Sequence, residues 1–342
     1  MFRGIHFGAF AALILFVLAT VYLAPAEGQN APLEIRARAH VFPEVGAGLI
    51  AIKRDAAGHY YVVASPASTV QIFSTDGKRI GQIPDASIQD FNSQDAKKNS
   101  KVVFAADFDV DSGGRVLIAD RGANAVKIFA ADGSLSRAIP IPAPTSVAAL
   151  PGDEFAVTSL RYRWLMGIYG YGGTLVRAIG QAEDFTHGAD ARHTPDLGRV
   201  SSDPAGNLYF VFLFLPEPTM QRFDRFGFAG NEIALDESAA AAHHHELFSS
   251  DSDNPAPIKS QINALAVDPV TQEIWIAVGS TLHRFDKNGS PIGFYQTLSS
   301  SGAPLIPKAI LVEPDRLLLG SDAWGIFDFP RPAKANTSAP AR

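Results

Sequence analysis

The 342-residue chain contains no cysteine. This absence excludes disulfides, thiolate metal sites, iron–sulfur clusters, cysteine nucleophiles and a lipid anchor attached through cysteine. Positive charge is also scarce, since 29 Lys and Arg residues face 35 Asp and Glu residues and the formal net charge is −6. Nucleic-acid binders normally carry a basic stripe, so the sequence predicts no nucleic-acid partner. Hydrophobic residues make up 46% of the chain, which excludes a disordered protein.

Long apolar runs are absent except at the start of the chain. There Arg3 precedes the apolar residues 7–23, and Ala24-Pro25-Ala26 follows. A charged start, an apolar centre and an A-x-A exit are the three parts of a secretory signal, so residues 1–26 predict export to the periplasm or the exterior. Seventeen apolar residues are near the lower limit for a membrane span. The alternative is therefore an uncleaved anchor, which would make the membrane a partner.

Helical periodicity is lacking beyond the signal, whereas one pattern of short strands and turns recurs. Each copy has an apolar strand, a D-x-x-G-like turn, a second strand, an aromatic-ended third strand and a D-G or N-G turn. The six copies span residues 52–83, 108–139, 150–180, 201–235, 266–295 and 310–330. The aromatic residues that end the third strands are Phe73, Phe129, Tyr169, Phe223, Phe285 and Phe327. Their spacing fits propeller blades of about 40–45 residues, three of them with insertions.

These repeats predict an all-β, six-bladed β-propeller of four-stranded antiparallel blades. Four regions are predicted: a signal at 1–26, a closing strand segment at 27–45, the propeller at 46–330 and a disordered tail at 331–342. The sixth copy has three strands, at about 309–314, 317–321 and 325–329. The alternating segment Leu33–Phe42 is expected to pair with the strand near Gly325–Phe329 and to complete the last blade, because this removes unpaired sheet edges.

The second copy, DVDSGGRVLIADRGANAVKIFAADG, resembles the NHL repeat. The residues on that pattern are Asp109, Gly113, Ala119, Asp120, Asn124, Phe129 and Gly133. The resemblance covers about residues 46–330 and implies a six-bladed propeller. It leaves activity open, because propellers of this kind include ligand-binding scaffolds, gluconolactonase-like metallohydrolases and peptide-amidating lyases. Asp109, Asp203 and Asp268 are expected to cap their own first turns.

Strand direction predicts which loops share a face of the propeller. Turns between the first and second strands and between the third and fourth lie on one face, and the other connections lie on the opposite face. The insertions 84–101, 181–198 and 236–261 all fall on that opposite face, where binding is expected. The candidate ligand-binding residues there or at the channel mouth are Arg161, Tyr162, Arg163, Trp164, His187, Arg192, His193, Arg199, Asn263 and Lys308.

Each candidate also has a structural interpretation. Arg161 to Trp164 could grip an anionic or glycan ligand, or Tyr162 and Trp164 could pack under their loop. His187 and His193 have a spacing seen in metal sites, but the sequence does not fix a carboxylate partner for them, so a structural interpretation is favoured. The run His243–His245 has the composition of a solvated loop.

The resemblance also implies a test for metal-dependent catalysis. Gluconolactonase-like enzymes place a Glu, an Asn and an Asp around a divalent ion at the channel mouth. The matching candidates are Glu44, Asn263 and Asp107, but no E-G-P signature opens the first blade and Arg199 and Lys308 would repel a cation. The sequence therefore favours an exported, monomeric, non-catalytic propeller without a cofactor that binds a protein, peptide or glycan. The alternative is a divergent metal-dependent hydrolase or lactonase that uses a divalent cation such as calcium.

Overall fold

The computed structural model describes residues 32–84, 100–180, 197–213, 219–235 and 262–333. Within these ranges no helix is long and apolar enough to cross a membrane, and the predicted signal at 1–26 lies outside them. The strands are, in chain order, β1 (Leu33–Arg36), β2 (Ala39–Val41), β3 (Leu49–Arg54), β4 (Tyr60–Ala64), β5 (Val70–Phe73), β6 (Arg79–Ile83), β7 (Ala105–Val110), β8 (Val116–Asp120), β9 (Ala125–Phe129), β10 (Leu135–Pro140), β11 (Pro144–Leu150), β12 (Glu154–Ser159), β13 (Met166–Gly170), β14 (Leu175–Ile179), β15 (Gly198–Ser202), β16 (Leu208–Phe212), β17 (Thr219–Phe223), β18 (Ala229–Ala234), β19 (Ile262–Val267), β20 (Ile274–Val278), β21 (Thr281–Phe285), β22 (Pro291–Leu298), β23 (Pro307–Val312), β24 (Arg316–Ser321) and β25 (Gly325–Pro330).

These strands form six sheets, and the six-bladed β-propeller predicted from the repeats is confirmed. Blades one to five are β3–β6, β7–β10, β11–β14, β15–β18 and β19–β22, each in sequential antiparallel order. Blade six contains β23, β24 and β25 from the end of the chain. We call the strands of each blade A to D from the axis outward, so that β3, β7, β11, β15, β19 and β23 are the inner strands.

Burial within a blade follows the position of each strand. The second strands β4, β8 and β20 are buried at every residue, as expected for apolar runs covered on both faces. The outer strand β10 is exposed at four of its six residues. The short apolar runs in the sequence are therefore the middle strands of stacked sheets.

Six apolar clusters hold the ring together, one between each pair of neighbouring blades. The aromatic residue that ends a third strand lies in the cluster shared with the preceding blade. Phe129, for example, packs with Tyr61 and Val63 of blade one, and Phe285 packs with Tyr209 of blade four. Both residues lie between blades, as the sequence predicts.

The predicted aromatic position in blade six is wrong by two residues. Phe329, rather than Phe327, pairs with Leu317 at the register that Phe129 occupies opposite Val116. Phe329 is fully buried against blade five, whereas Phe327 is half-buried and stacks on His40 with ring centroids 4.9 Å apart. The two residues are separated by two positions and share a face of β25, so alternation alone does not distinguish them.

The N-terminal segment closes the ring, and it does so with less of its length than predicted. Ala39–Val41 pairs antiparallel with β25 and becomes the fourth strand of blade six. Leu33–Arg36 instead adds a fifth strand to the outer edge of blade five. Beyond β2, Phe42 is buried against Tyr60 and Phe73 of blade one. The segment therefore contacts three blades.

The first turn of blade two is capped by a different aspartate from the one predicted. Asp111 accepts hydrogen bonds from the amides of Gly113 (2.9 Å) and Arg115 (2.8 Å), whereas Asp109 lies within β7. The sequence D-V-D offers two candidates two residues apart. The predicted caps Asp203 and Asp268 are confirmed, since each accepts backbone amides of its own turn.

Removal of the closing segment should destroy cooperative folding. A chain that begins at Gly46 lacks β1, β2 and Phe42, so blade six keeps an open edge and the contact of Phe42 with blade one is lost. We expect a broad, non-cooperative thermal transition by circular dichroism. A melting curve identical to that of the full chain would show that closure by this segment is unimportant.

Aromatic residues between blades should dominate stability. Phe129→Ala and Phe329→Ala should each lower the free energy of unfolding by about 3–5 kcal/mol, because each leaves a large cavity in a packed interface. The matched variant Phe327→Ala should cost clearly less, since this ring is half-buried. Urea denaturation measures all three. A loss below about 1 kcal/mol for Phe129→Ala would contradict the assignment.

Candidate functional site

A cavity of about 980 Å³ lies along the axis of the propeller and is lined by the inner strands of all six blades. Its exposed rim is formed by the turns between the A and B strands. The rim residues are Ala56, Ser112, Pro151, Pro204, Val270 and Pro314. This volume is at the upper end of the range typical of small-molecule sites. The rim lies at the end of the inner strands opposite to the described connections between blades, and most of the three insertions fall outside the described residues.

One wall of the cavity is polar and is built by blades one to four. Its side chains are Lys53, Asp107, Asp109, Ser146, Arg199 and Ser201. The Lys53 ammonium lies 3.1 Å from an Asp109 carboxylate oxygen. Ser146 donates a 2.5 Å hydrogen bond to Asp107, and the amide of Ala149 donates a 2.9 Å bond to Asp109. These contacts join neighbouring inner strands to each other through side chains.

Burial and neighbouring charges shift the pKa values of two side chains in this wall, Asp107 and Lys53. It raises the pKa of the Asp107 carboxyl, and the opposing effects of Lys53, Arg199 and the Ser146 hydrogen bond only partly offset it. Burial acts in the opposite direction on Lys53, but the carboxylates of Asp109 and Asp107 outweigh it and raise the pKa of this ammonium. Lys53 is therefore a firmly charged cation, while the Asp107 carboxyl protonates more readily than an ordinary aspartate.

A difference in strand register determines where Arg199 lies. Five inner strands contain a bulge at their second residue, which is Asn263 in β19 and Lys308 in β23. Strand β15 pairs without a bulge, and Arg199 pairs with Val211 as Asp107 pairs with Ala119. Arg199 therefore occupies the level of Asp107 and not that of Asn263 and Lys308. A bulge cannot be inferred from residue type. The sequence therefore predicted Arg199, Asn263 and Lys308 at the same height along the axis, which is wrong for Arg199.

The opposite wall is built by blades five and six and is apolar between Lys308 and the charged rim. Its residues include Ala264, Leu265, Ala266, Ala309, Ile310 and Leu311. Small side chains at three of these positions leave space beside the axis. The cavity therefore has one polar and one apolar side.

Charges on the rim compensate one another. A carboxylate oxygen of Glu313 lies 2.7 Å from a guanidinium nitrogen of Arg54, and the same carboxylate also pairs with Arg316. Asp268 and Glu273 both bind Arg331, which follows the last strand, at 2.5 and 2.7 Å. Burial opposes ionisation of Glu273, but hydrogen bonds from Arg284 and Arg331 outweigh it and lower its pKa. These groups hold turns and blades together.

The predicted cluster Arg161–Trp164 lies on the loop between β12 and β13. Tyr162 packs against the apolar cluster between blades two and three and shares a 2.8 Å hydrogen bond with the hydroxyl of Tyr169. The rings of Tyr162 and Trp164 lie 4.9 Å apart. Arg161 and Arg163 are exposed. The two aromatic residues thus have a packing role, and only the two arginines are presented to solvent.

The remaining predicted residues do not form one group. Arg199 and Lys308 line the cavity, while Asn263 donates to the Gly279 carbonyl at 3.1 Å and its oxygen lies 3.5 Å from Lys308. Glu44 is exposed and is not part of the lining that contains Asp107. Across the described ranges, no three His, Asp or Glu side chains are close enough to hold a metal ion. His187, Arg192, His193 and His243–His245 lie outside the described residues.

Two residues of the NHL-like pattern anchor the connections between blades. Asp120 is fully buried, pairs with Lys127 at 2.8 Å and accepts the amides of Val103 and Phe104. The Asn124 side chain accepts the amide of Ala143, at the entry to blade three, at 2.9 Å. Burial opposes ionisation of Asp120, but the hydrogen bonds from Lys127 and the two amides lower its pKa. These motif residues serve architecture.

Asp120→Asn should destabilise the fold in a pH-dependent manner. At neutral pH we expect a loss of about 3–5 kcal/mol in the free energy of unfolding, because Lys127 remains buried without its partner. A lowered pKa contributes stability above the unfolded value, about 3.9, that disappears as the pH falls through the folded value. Denaturation at several pH values should therefore show the variant converging on the wild type below about pH 4. A pH-independent difference would contradict the ion pair.

No known family model matches the sequence, and no curated protein is significantly similar to it. Solved structures with a similar fold include selenomethionine-substituted virginiamycin B lyase from Staphylococcus aureus, with 13% identity, a TM-score of 0.51 and coverage of 84% of this chain and 96% of that one. A catalytically inactive histidine-to-alanine variant of the same enzyme with quinupristin gives 10% identity, a TM-score of 0.52 and coverage of 84% and 82%. At this identity the similarity shows the propeller fold alone.

Proposed function

We propose that the chain is an exported, monomeric, non-catalytic propeller that binds a small ligand, such as a peptide or a glycan, in its central cavity. The observation that supports this function is the 980 Å³ cavity with a polar wall of blades one to four and an apolar wall of blades five and six. Concave sites with a few convergent polar groups on an apolar surface are typical of ligand binding. Export rests on the signal pattern of residues 1–26.

A larger protein or glycan partner would use the loop-bearing face. Arg161 and Arg163 are among the described residues that are exposed on that face, together with Leu160 and Trp324. The cavity is favoured over this face because its walls are rigid strands whose polar groups are already positioned by hydrogen bonds. A preorganised site loses less conformational entropy on binding than exposed arginine side chains do.

The fold neighbours are consistent with binding in a propeller but do not extend their chemistry to this chain. The catalytically inactive virginiamycin B lyase was solved with quinupristin, and this variant carries alanine in place of one histidine. No histidine is among the described residues that line the cavity here. A metal-dependent hydrolase or lactonase is the second candidate, because Asp107 lies in the cavity. Stoichiometric calcium or zinc in the purified protein would favour that candidate.

Ligand binding can be tested by thermal shift against a panel of short peptides, oligosaccharides and small organic molecules. Ser201 lines the cavity on its polar side, and Ser201→Trp should fill the space beside the axis. Compounds that raise the melting temperature of the wild type should fail to stabilise this variant. The reason is that a ligand stabilises only the state to which it binds.

The matched control is Ser136→Trp, which places the same side chain on the exposed outer strand β10. This variant should respond to the compounds as the wild type does. If stabilisation survives Ser201→Trp but is lost when the 236–261 segment is shortened, the ligand binds on the loop-bearing face. If no compound stabilises the wild type, the proposed function is rejected.

A further inference from the structure

Arg199 and Lys308 differ from the other cations around the axis. The rim arginines Arg54 and Arg331 each contact a carboxylate, and Lys53 is paired with Asp109. In the part of the chain that the structure describes, no carboxylate lies within ion-pair distance of Arg199 or Lys308. The closest recorded partner of the Lys308 ammonium is the amide oxygen of Asn263 at 3.5 Å. Both side chains are half-buried in the lining of the same cavity.

The charges in the interior of the cavity do not balance. Three cations, Lys53, Arg199 and Lys308, face two carboxylates, Asp107 and Asp109. Asp109 is paired with Lys53. Asp107, which accepts hydrogen bonds from Ser146 and the amides of Phe108 and Val147, is then the one remaining carboxylate for the two charges of Arg199 and Lys308. A half-buried cation without a counter-charge is costly in a low-dielectric site. The interior thus has positive charge that an anionic ligand would compensate.

The apolar wall limits the kind of anion. Lys308 and the apolar wall are on the same side of the cavity. The apolar residues there are Ala264 and Ala266 of β19 and Ala309 and Leu311 of β23. An inorganic ion would leave this surface in contact with water. A molecule with a hydrocarbon body would bury it and gain about 25 cal/mol for each Å² of apolar surface removed from water.

We propose that the central cavity binds a small organic acid, whose anionic group contacts Arg199 and Lys308 and whose apolar body packs on the alanine-lined wall of β19 and β23. This inference rests on the proposed function and names its class of ligand. Guanidinium groups favour planar anions such as carboxylates through paired hydrogen bonds, so Arg199 is the principal determinant. Lys308 adds a second charge at the level of the bulge.

The test uses the fluorescent anion 8-anilinonaphthalene-1-sulfonate, which remains charged across the working pH range. Arg199→Met should weaken its binding by about tenfold or more, and Lys308→Met by several-fold, since each removes one charge-assisted contact. Decanoate should displace the probe, whereas decylamine and inorganic phosphate should not. Binding should also weaken as salt is added.

Arg137→Met is the matched control, because it removes an exposed arginine from the outer strand β10 and should leave the affinity unchanged. Arg199→Lys should retain part of the affinity, and this variant replaces Arg199→Met if the latter does not fold by circular dichroism. Equal affinity for decanoate and decylamine, or full affinity in the Arg199 variants, would overturn the inference. If Ser201→Trp still blocks other ligands in that case, the proposed function stands and only the acid specificity fails.

Discussion

Face-to-face packing of neighbouring blades is the constraint on which the remaining structure depends. The inner strands of adjacent blades share no backbone ladder, so the distance between them is determined by the six apolar clusters further out. Where those clusters hold the blades apart at the axis, a cavity remains, and its lining consists of inner strands and their turns. Side chains then join the inner strands, as in the hydrogen bonds of Asp107 with Ser146 and of Asp109 with Ala149. The site is thus a consequence of the way the blades pack.

A ring built from sequential blades needs a closing contact, and here both ends of the described chain provide it. The first strands divide between blades five and six, and Phe42 reaches blade one. At the other end Arg331 binds Asp268 and Glu273 of blade five, and the Pro332 carbonyl accepts a 2.9 Å hydrogen bond from Arg284. Two segments of the chain therefore cross the interface between blades five and six. This distributes closure over several weak contacts and does not rely on a disulfide, which the composition forbids.

The sequence was sufficient for the architecture because blade number depends on local signals, namely short apolar runs and turn residues. It was insufficient wherever two equivalent residues compete. D-V-D supplied two candidates for one cap, and F-D-F supplied two aromatic residues on one face of a strand, so that only the observed register identifies Asp111 and Phe329. The height of Arg199 along the axis depends on the absence of a bulge in β15, and no residue type predicts that absence. Arg199 and Asp107 of the polar wall were among the predicted candidates, but Lys53, Ser146 and Ser201 were not, because the wall is assembled from positions in four blades.

Charge in this propeller is used in two ways that differ with depth. On the rim and at the blade connections, carboxylates such as Glu313, Asp120 and Asp111 are saturated by backbone amides, arginines or lysine, and they stabilise the turns. Of these residues, Asp120 lies on the NHL-like pattern, and its contacts are architectural, so the resemblance carries no information about activity. Deeper in the cavity the balance is reversed, because Arg199 and Lys308 exceed the carboxylates that could neutralise them. Groups that the fold leaves uncompensated in a concave site are the ones a ligand can use, and this separates the functional residues from the structural ones.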